Sequence, residues 1–159
     1  IAKMRAKIPG LVIRTTFIVG FPNETEERFQ RLLDFLQEMQ FDHVGVFTYS
    51  PEEGTPAEAL GDPIAESVKE ARREDLMNLQ AGISMRKNQR LINREFSMLV
   101  EGVDEDNNIL VGRTYRDAPE IDGLMFAEGQ GKTGDMLTVR VKAAMQHDLM
   151  GEVIEPSNR

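Results

Sequence analysis

At 159 residues, 40% of them apolar and 29% charged, the chain has the size and composition of one ordinary globular domain or two small ones. A net charge of −8 argues against a protein whose main task is to neutralise phosphates. With no cysteine and only two histidines, these residues exclude disulfides, thiolate metal sites, a cysteine nucleophile and a histidine metal cage.

No apolar run approaches the roughly 18 residues of a membrane helix. The charged start Ile1-Ala2-Lys3-Met4-Arg5-Ala6-Lys7 leads into no signal-type apolar core. No membrane partner is expected, and the cytoplasm is the default location. The sequence begins without Met inside a helix-like stretch and is read as a piece of a longer chain.

Residues 1–61 read as helix, strand, helix, strand. Residues 1–7 are helix-like, and Pro9-Gly10 marks a turn. Residues 11–19 are rich in β-branched and apolar side chains, as a strand is. Gly20-Phe21-Pro22 ends that strand and opens into a helix, the edge at which α/β folds bind ligands. Asn23 with Glu26 has capping-box spacing, and Thr25 is a second cap candidate. Phe29, Leu32, Leu33, Leu36 and Met39 or Gln40 then form one apolar stripe. Glu24, Glu26 and Glu27 suit the positive end of the helix dipole. Residues 44–49 read as the next strand. Strand, helix and strand of these lengths make a right-handed parallel βαβ unit, whose sheet needs cover on both faces.

Residues 62–93 read as one long connector helix. Asp62-Pro63 starts it, Val68, Leu76, Leu79, Ile83 and Leu91 give a narrow apolar stripe, and Lys and Arg take the remaining faces. From 94 to 156, five short strands are expected at 96–102, 109–114, 121–127, 136–143 and 149–155. That spacing predicts a small antiparallel barrel, OB-like in size. The nine methionines are spread out as core filler, and His147 sits in an exposed turn.

A barrel of this size raises the question of nucleic acid. Residues 94–159 hold seven Lys/Arg against thirteen Asp/Glu, a balance of −6, and offer few rings for stacking. Arg113, Arg116 and Lys132 could form a basic patch, but Asp117, Glu120 and Asp122 lie beside it. An acidic face that docks a basic protein is therefore favoured over an RNA-binding face.

The order of strand, Gly20-Phe21-Pro22, Glu24-Thr25-Glu26-Glu27, strand, Tyr49-Ser50-Pro51, Gly54-Thr55-Pro56, long helix and small barrel resembles the methylthiotransferases. These are radical S-adenosylmethionine (SAM) enzymes with a C-terminal TRAM domain. Glu52-Glu53-Gly54-Thr55 resembles the branch that acts on a ribosomal protein, where the tRNA-modifying branch tends to have Arg-Pro-Gly-Thr. Gly112-Arg113-Thr114 followed by Asp117-Ala118-Pro119-Glu120-Ile121-Asp122-Gly123 also resembles that ribosomal branch, called RimO. The alternative is the tRNA-modifying relative, with the barrel as an RNA-binding module. Asn23 stands where the family usually has Gly, and Met150 where a Trp is common.

The resemblance implies an α/β plus all-β chain. Residues 1–61 would be the last part of a radical-SAM (TIM-like) barrel, residues 62–93 the connector, and residues 94–156 the five-stranded OB-like TRAM barrel. It implies a full-length enzyme that attaches a methylthio group to the β-carbon of an aspartate in small-subunit ribosomal protein S-twelve. That enzyme uses S-adenosylmethionine and two 4Fe–4S clusters. The cluster cysteines of the family, three in an N-terminal domain and a Cys-x-x-x-Cys-x-x-Cys loop, are absent from this sequence. No cluster, no bound cofactor and no catalytic residue are thus expected on this segment alone.

The resemblance also places S-adenosylmethionine along the strand ends at Val19, Gly20, Phe47 and Tyr49, with Gly20 permitting close backbone approach. Arg14 is either buried and paired with the cofactor carboxylate or nearby acids, or exposed at a sheet edge, and Thr16 shares its parity. Tyr49 either bonds cofactor or substrate or is a core tyrosine with a wet tip. Arg113, Asp117, Glu120 and Asp122, with a second acidic loop at Asp104-Glu105-Asp106, are candidates for steering the basic ribosomal protein. RNA binding is disfavoured by the same charge.

Overall fold

In the computed structural model, which describes residues 1–154, β1 (Arg14–Val19) and β2 (His43–Thr48) pair in parallel, from Arg14 opposite His43 to Val19 opposite Thr48. α2 (Glu26–Met39) connects them. Its cap is Thr25, whose hydroxyl accepts from the Arg28 amide. Asn23 sits instead in the preceding turn at φ +72°, where asparagine is the most tolerant residue after glycine.

The apolar stripe of α2 packs as its spacing predicts. Phe29 and Leu36 are buried in one cluster with Val19, Phe41 and Val46, and Leu32, Leu33 and Met39 lie against it. Phe17 meets both Phe35 and Phe41 edge-on. Only this face of the sheet is covered, because Arg14, Thr16, Ile18 and Phe47 on the other face are exposed. α1 (Ala2–Lys7) buries no residue, and Arg5 donates to the Gln40 carbonyl at 2.9 Å.

α3 (Glu66–Gln89) begins at Glu66, after the expected start at Asp62. Asp62 is used otherwise: its carboxylate accepts from Lys69. Leu76 and Ile83 are buried in the core of β1, α2 and β2, but Val68 is 40% exposed. Towards the helix start the buried positions are Lys69 and Arg72.

The chain forms two compact units, residues 1–83 and residues 84 onward. The second is a closed barrel of β3 (Glu95–Asp104), β4 (Ile109–Arg113), β5 (Met125–Glu128), β6 (Met136–Ala144) and β7 (Leu149–Val153), in the order β3-β4-β5-β7-β6. Four pairings are antiparallel, but β5 and β7 run parallel, so the barrel is mixed rather than wholly antiparallel. The reason is arithmetic: strand directions cannot alternate all the way round a closed ring with an odd number of strands. Met98, Val100, Leu110, Met125, Ala127, Val139, Val141 and Leu149 fill its interior.

Residues 121–124, expected to start a strand, lie in a loop. The Ala118 amide donates to the Asp122 carboxylate at 2.8 Å, and Glu120 takes φ +61°. Gly123 is pressed against the His147 carbonyl, so the strand begins only at Met125. His147 is exposed. Residue 155, the expected end of the last strand, lies outside the described residues.

Candidate functional site

The C-terminal ends of β1 and β2 meet in a turn built by local chemistry. Gly20 follows β1 at φ +77°, and its amide donates to the Glu24 carboxylate at 2.8 Å. A Cβ added there would fall on the Lys69 side chain, so both backbone and space require glycine. Tyr49 follows β2, and its amide donates to the Val19 carbonyl at 2.8 Å. The Tyr49 hydroxyl donates to the Ala57 carbonyl at 3.2 Å, and its ring meets Phe21 edge-on at 5.1 Å. Tyr49 is therefore the core tyrosine, 7% exposed, with its polar tip bonded to backbone.

Two buried cations on α3 hold these ends. Lys69 Nζ donates to the Tyr49 carbonyl at 2.9 Å and to Asp62 at 2.7 Å, and pairs with Glu66 at 2.9 Å. The bonds to Asp62, then Glu66, hold its ammonium above the usual lysine pKa. Arg72, one turn on, donates to the Glu24 carbonyl at 3.1 Å and to its carboxylate at 2.8 Å, the carboxylate that receives the Gly20 amide. Its guanidinium lies over the Phe29 ring at 5.3 Å. Sequence reasoning placed Lys and Arg on exposed faces and missed this pair. Positions 69, 72, 76 and 83 all fall on one helical face, which was the available signal.

The predicted cofactor residues fall into two sets. Arg14 and Thr16 are exposed on the open sheet face, and Arg14 is thus the sheet-surface arginine of the two expectations. They share that face with Ile18 and Phe47, which lie opposite one another at 56% and 62% exposure. Gly45 lies opposite Thr16. The Val19 side chain points the other way, fully buried on the covered face. Gly20 stands at the strand end with its backbone alone.

On the barrel, Arg113 pairs with Glu101 at 2.7 Å, Arg140 with Glu95 at 2.8 Å and Lys142 with Glu152 at 2.6 Å. Asp117 accepts from the Thr114 hydroxyl at 2.9 Å, and Asp122 closes the same loop through the Ala118 amide. Of the four predicted docking residues, Glu120 is exposed, and Arg113, Asp117 and Asp122 are half-buried. Glu105 and Asp106 are exposed in the hairpin turn between β3 and β4. Among the described residues, no three His, Cys, Asp or Glu side chains come together in a way that could hold a metal ion, and no helix is long and apolar enough to cross a membrane.

Residues 92–154 match the TRAM domain family. Over nearly its whole length the chain is similar to proteins named ribosomal protein uS12 methylthiotransferase RimO. It is 48% identical to the one from a Synechococcus species over 97% of the chain and 33% of the relative. It is 50% identical to that of Thermus thermophilus over 92% of the chain and 34% of the relative. Residues 92–154 thus carry a TRAM domain, and the chain is similar throughout to RimO proteins. It spans about a third of the length of these relatives.

Two of the RimO-like spellings have a structural reason in this chain. Glu52-Glu53-Gly54-Thr55 is a self-closing turn: the Thr55 hydroxyl donates to the Glu52 carbonyl, and the Gly54 amide to the Glu58 carboxylate, each at 2.8 Å. Gly112 lies against the Leu99 backbone, where any side chain would collide.

Proposed function

We propose that this chain is the C-terminal third of a cytoplasmic radical-SAM methylthiotransferase that modifies an aspartate of ribosomal protein uS12. The observation that carries this reading is 46–50% identity, along almost all of the chain, to proteins named for that activity.

Within it the two units have different tasks. The open face of β1 and β2 is one wall of the S-adenosylmethionine site. Ile18 and Phe47 offer exposed apolar surface suited to a flat ring, and Gly45, with no side chain on this face, lets backbone approach closely. Arg14, on the same face, supplies a cation for a carboxylate. Val19 contributes only backbone there, and Tyr49 holds the loop. The residues present fit S-adenosylmethionine in this partial way. They do not fit an iron–sulfur cluster, since the chain has no cysteine to supply a thiolate. The rest of the enzyme would supply the radical chemistry, and this chain alone is inactive.

The TRAM barrel docks the basic substrate. Its Arg113, Arg140 and Lys142 are matched by Glu101, Glu95 and Glu152, and the acidic excess that is left includes exposed Glu105, Asp106, Glu120 and Glu128. Such a surface steers a basic protein. The test is binding of this chain to uS12 and to tRNA at low and moderate salt. Binding of uS12 that weakens with salt, with no tRNA complex, is expected. A salt-sensitive tRNA complex without uS12 binding would overturn the docking claim in favour of the tRNA-modifying relative.

A further inference from the structure

The apolar stripe of α3 turns charged where it reaches the strand ends. Lys69 and Arg72 are 1% and 7% exposed, at positions where leucine would simply continue the packing of Leu76 and Ile83. Replacing buried ion pairs by apolar residues is often neutral or stabilising, so stability alone is a weak reason for charge here. What leucine could not do is bond to backbone. Lys69 bonds the Tyr49 carbonyl, and Arg72 bonds the Glu24 carbonyl and the Glu24 carboxylate oxygen that receives the Gly20 amide. The Lys69 stem also occupies the space of the missing Gly20 side chain. All these contacts end at the two strand termini. Neither side chain is open enough to reach a ligand.

We propose that Lys69 and Arg72 are positioning residues: they fix the Gly20 turn and the Tyr49 strand end in the arrangement that binds S-adenosylmethionine. This rests on the cofactor reading above. Asp62 and Glu66 are the anionic groups that face Lys69, and they keep it charged and aimed at the Tyr49 carbonyl.

The experiment uses the intact, cluster-loaded enzyme that contains this chain, and reads S-adenosylmethionine binding at equilibrium beside thermal unfolding. Lys69→Met keeps the stem against Gly20 and removes the charge and its bonds. Its dissociation constant for S-adenosylmethionine is expected to rise about tenfold, with faster amide exchange at Gly20 and Tyr49. Asp62→Asn, which keeps Glu66 as a charged partner, is the milder variant, with an expected rise of about threefold. Should Lys69→Met not fold, Asp62→Asn decides. A merely structural role predicts the opposite pattern, lower thermal stability with unchanged affinity in the folded protein, and that result overturns the positioning role. If the unaltered enzyme fails to bind S-adenosylmethionine, the cofactor reading falls and takes this inference with it. Binding by the unaltered enzyme with equal affinity in both variants defeats this inference alone.

Discussion

The barrel of residues 84 onward leaves no strand edge unpaired, whereas the sheet of residues 1–83 has two strands, one covered face and one open face. Their interiors differ in the same sense. Among the described residues the barrel unit buries no charged side chain, and its ion pairs lie on the outside. The first unit buries Lys69 and Arg72 with backbone and carboxylate partners. A closed ring satisfies its own hydrogen bonds and needs only apolar filling. A sheet that ends at a ligand edge must hold loops and strand ends in place, and charged side chains that reach backbone can do so.

Each unit holds one tyrosine, Tyr49 and Tyr115, so single Tyr→Phe backgrounds let fluorescence follow each unit in urea. The largest expected effects are in the two cores. Leu110→Ala should lower barrel stability by about 3 kcal/mol while leaving the Tyr49 transition in place. A single joint transition would break the two-unit comparison. Arg72→Ala should destabilise the first unit by about 3 kcal/mol, because it leaves the Glu24 carboxylate, only 11% exposed, without its cation. Arg72→Met with Glu24→Gln should recover much of that loss in a double-mutant cycle. Phe47→Ser on the open face should change stability by less than about 0.5 kcal/mol, against about 3 kcal/mol for Phe17→Ala on the covered face. Equal losses would show that the open face is covered after all.

The smallest effects are in pH dependence, and they differ in sign. Lys69 has a raised pKa, so its contribution is complete below the ordinary lysine value of about 10.4 and is lost as pH climbs through the higher folded value. Alkaline titration should therefore weaken the first unit more than it weakens Lys69→Met. Asp104 has a lowered pKa through its bonds from Asn107, so its contribution exists above about pH 4 and fades as pH falls through the lower folded value. Asp104→Asn should differ from the parent barrel near neutrality and converge with it in acid.

Much of this was legible in the residues. The stripe from Phe29 to Met39 and the β-branched runs around Thr16 and Val46 carry periodicities that tertiary packing preserves. Two features were hidden for different reasons. Ile121 to Leu124 reads as strand by composition, but Asp122 bonds back to Ala118, and Gly123 must lie on a carbonyl far along the chain. The burial of Lys69 was hidden because a long charged side chain normally reaches water, and only the positions of Tyr49 and Asp62 make the interior acceptable to it. The parallel pairing of β5 with β7 is a third case: the odd strand count requires one such pair, but only the folded barrel shows which.

That pairing sets an order on biosynthesis. β7 leaves the ribosome after the other four barrel strands, yet it sits between β5 and β6 and joins both. Until it arrives, the other four strands can form only an open sheet with β5 and β6 as bare edges, the kind of intermediate that invites pairing with other chains. The barrel therefore closes late: a nascent chain cut short before Leu149 cannot close it.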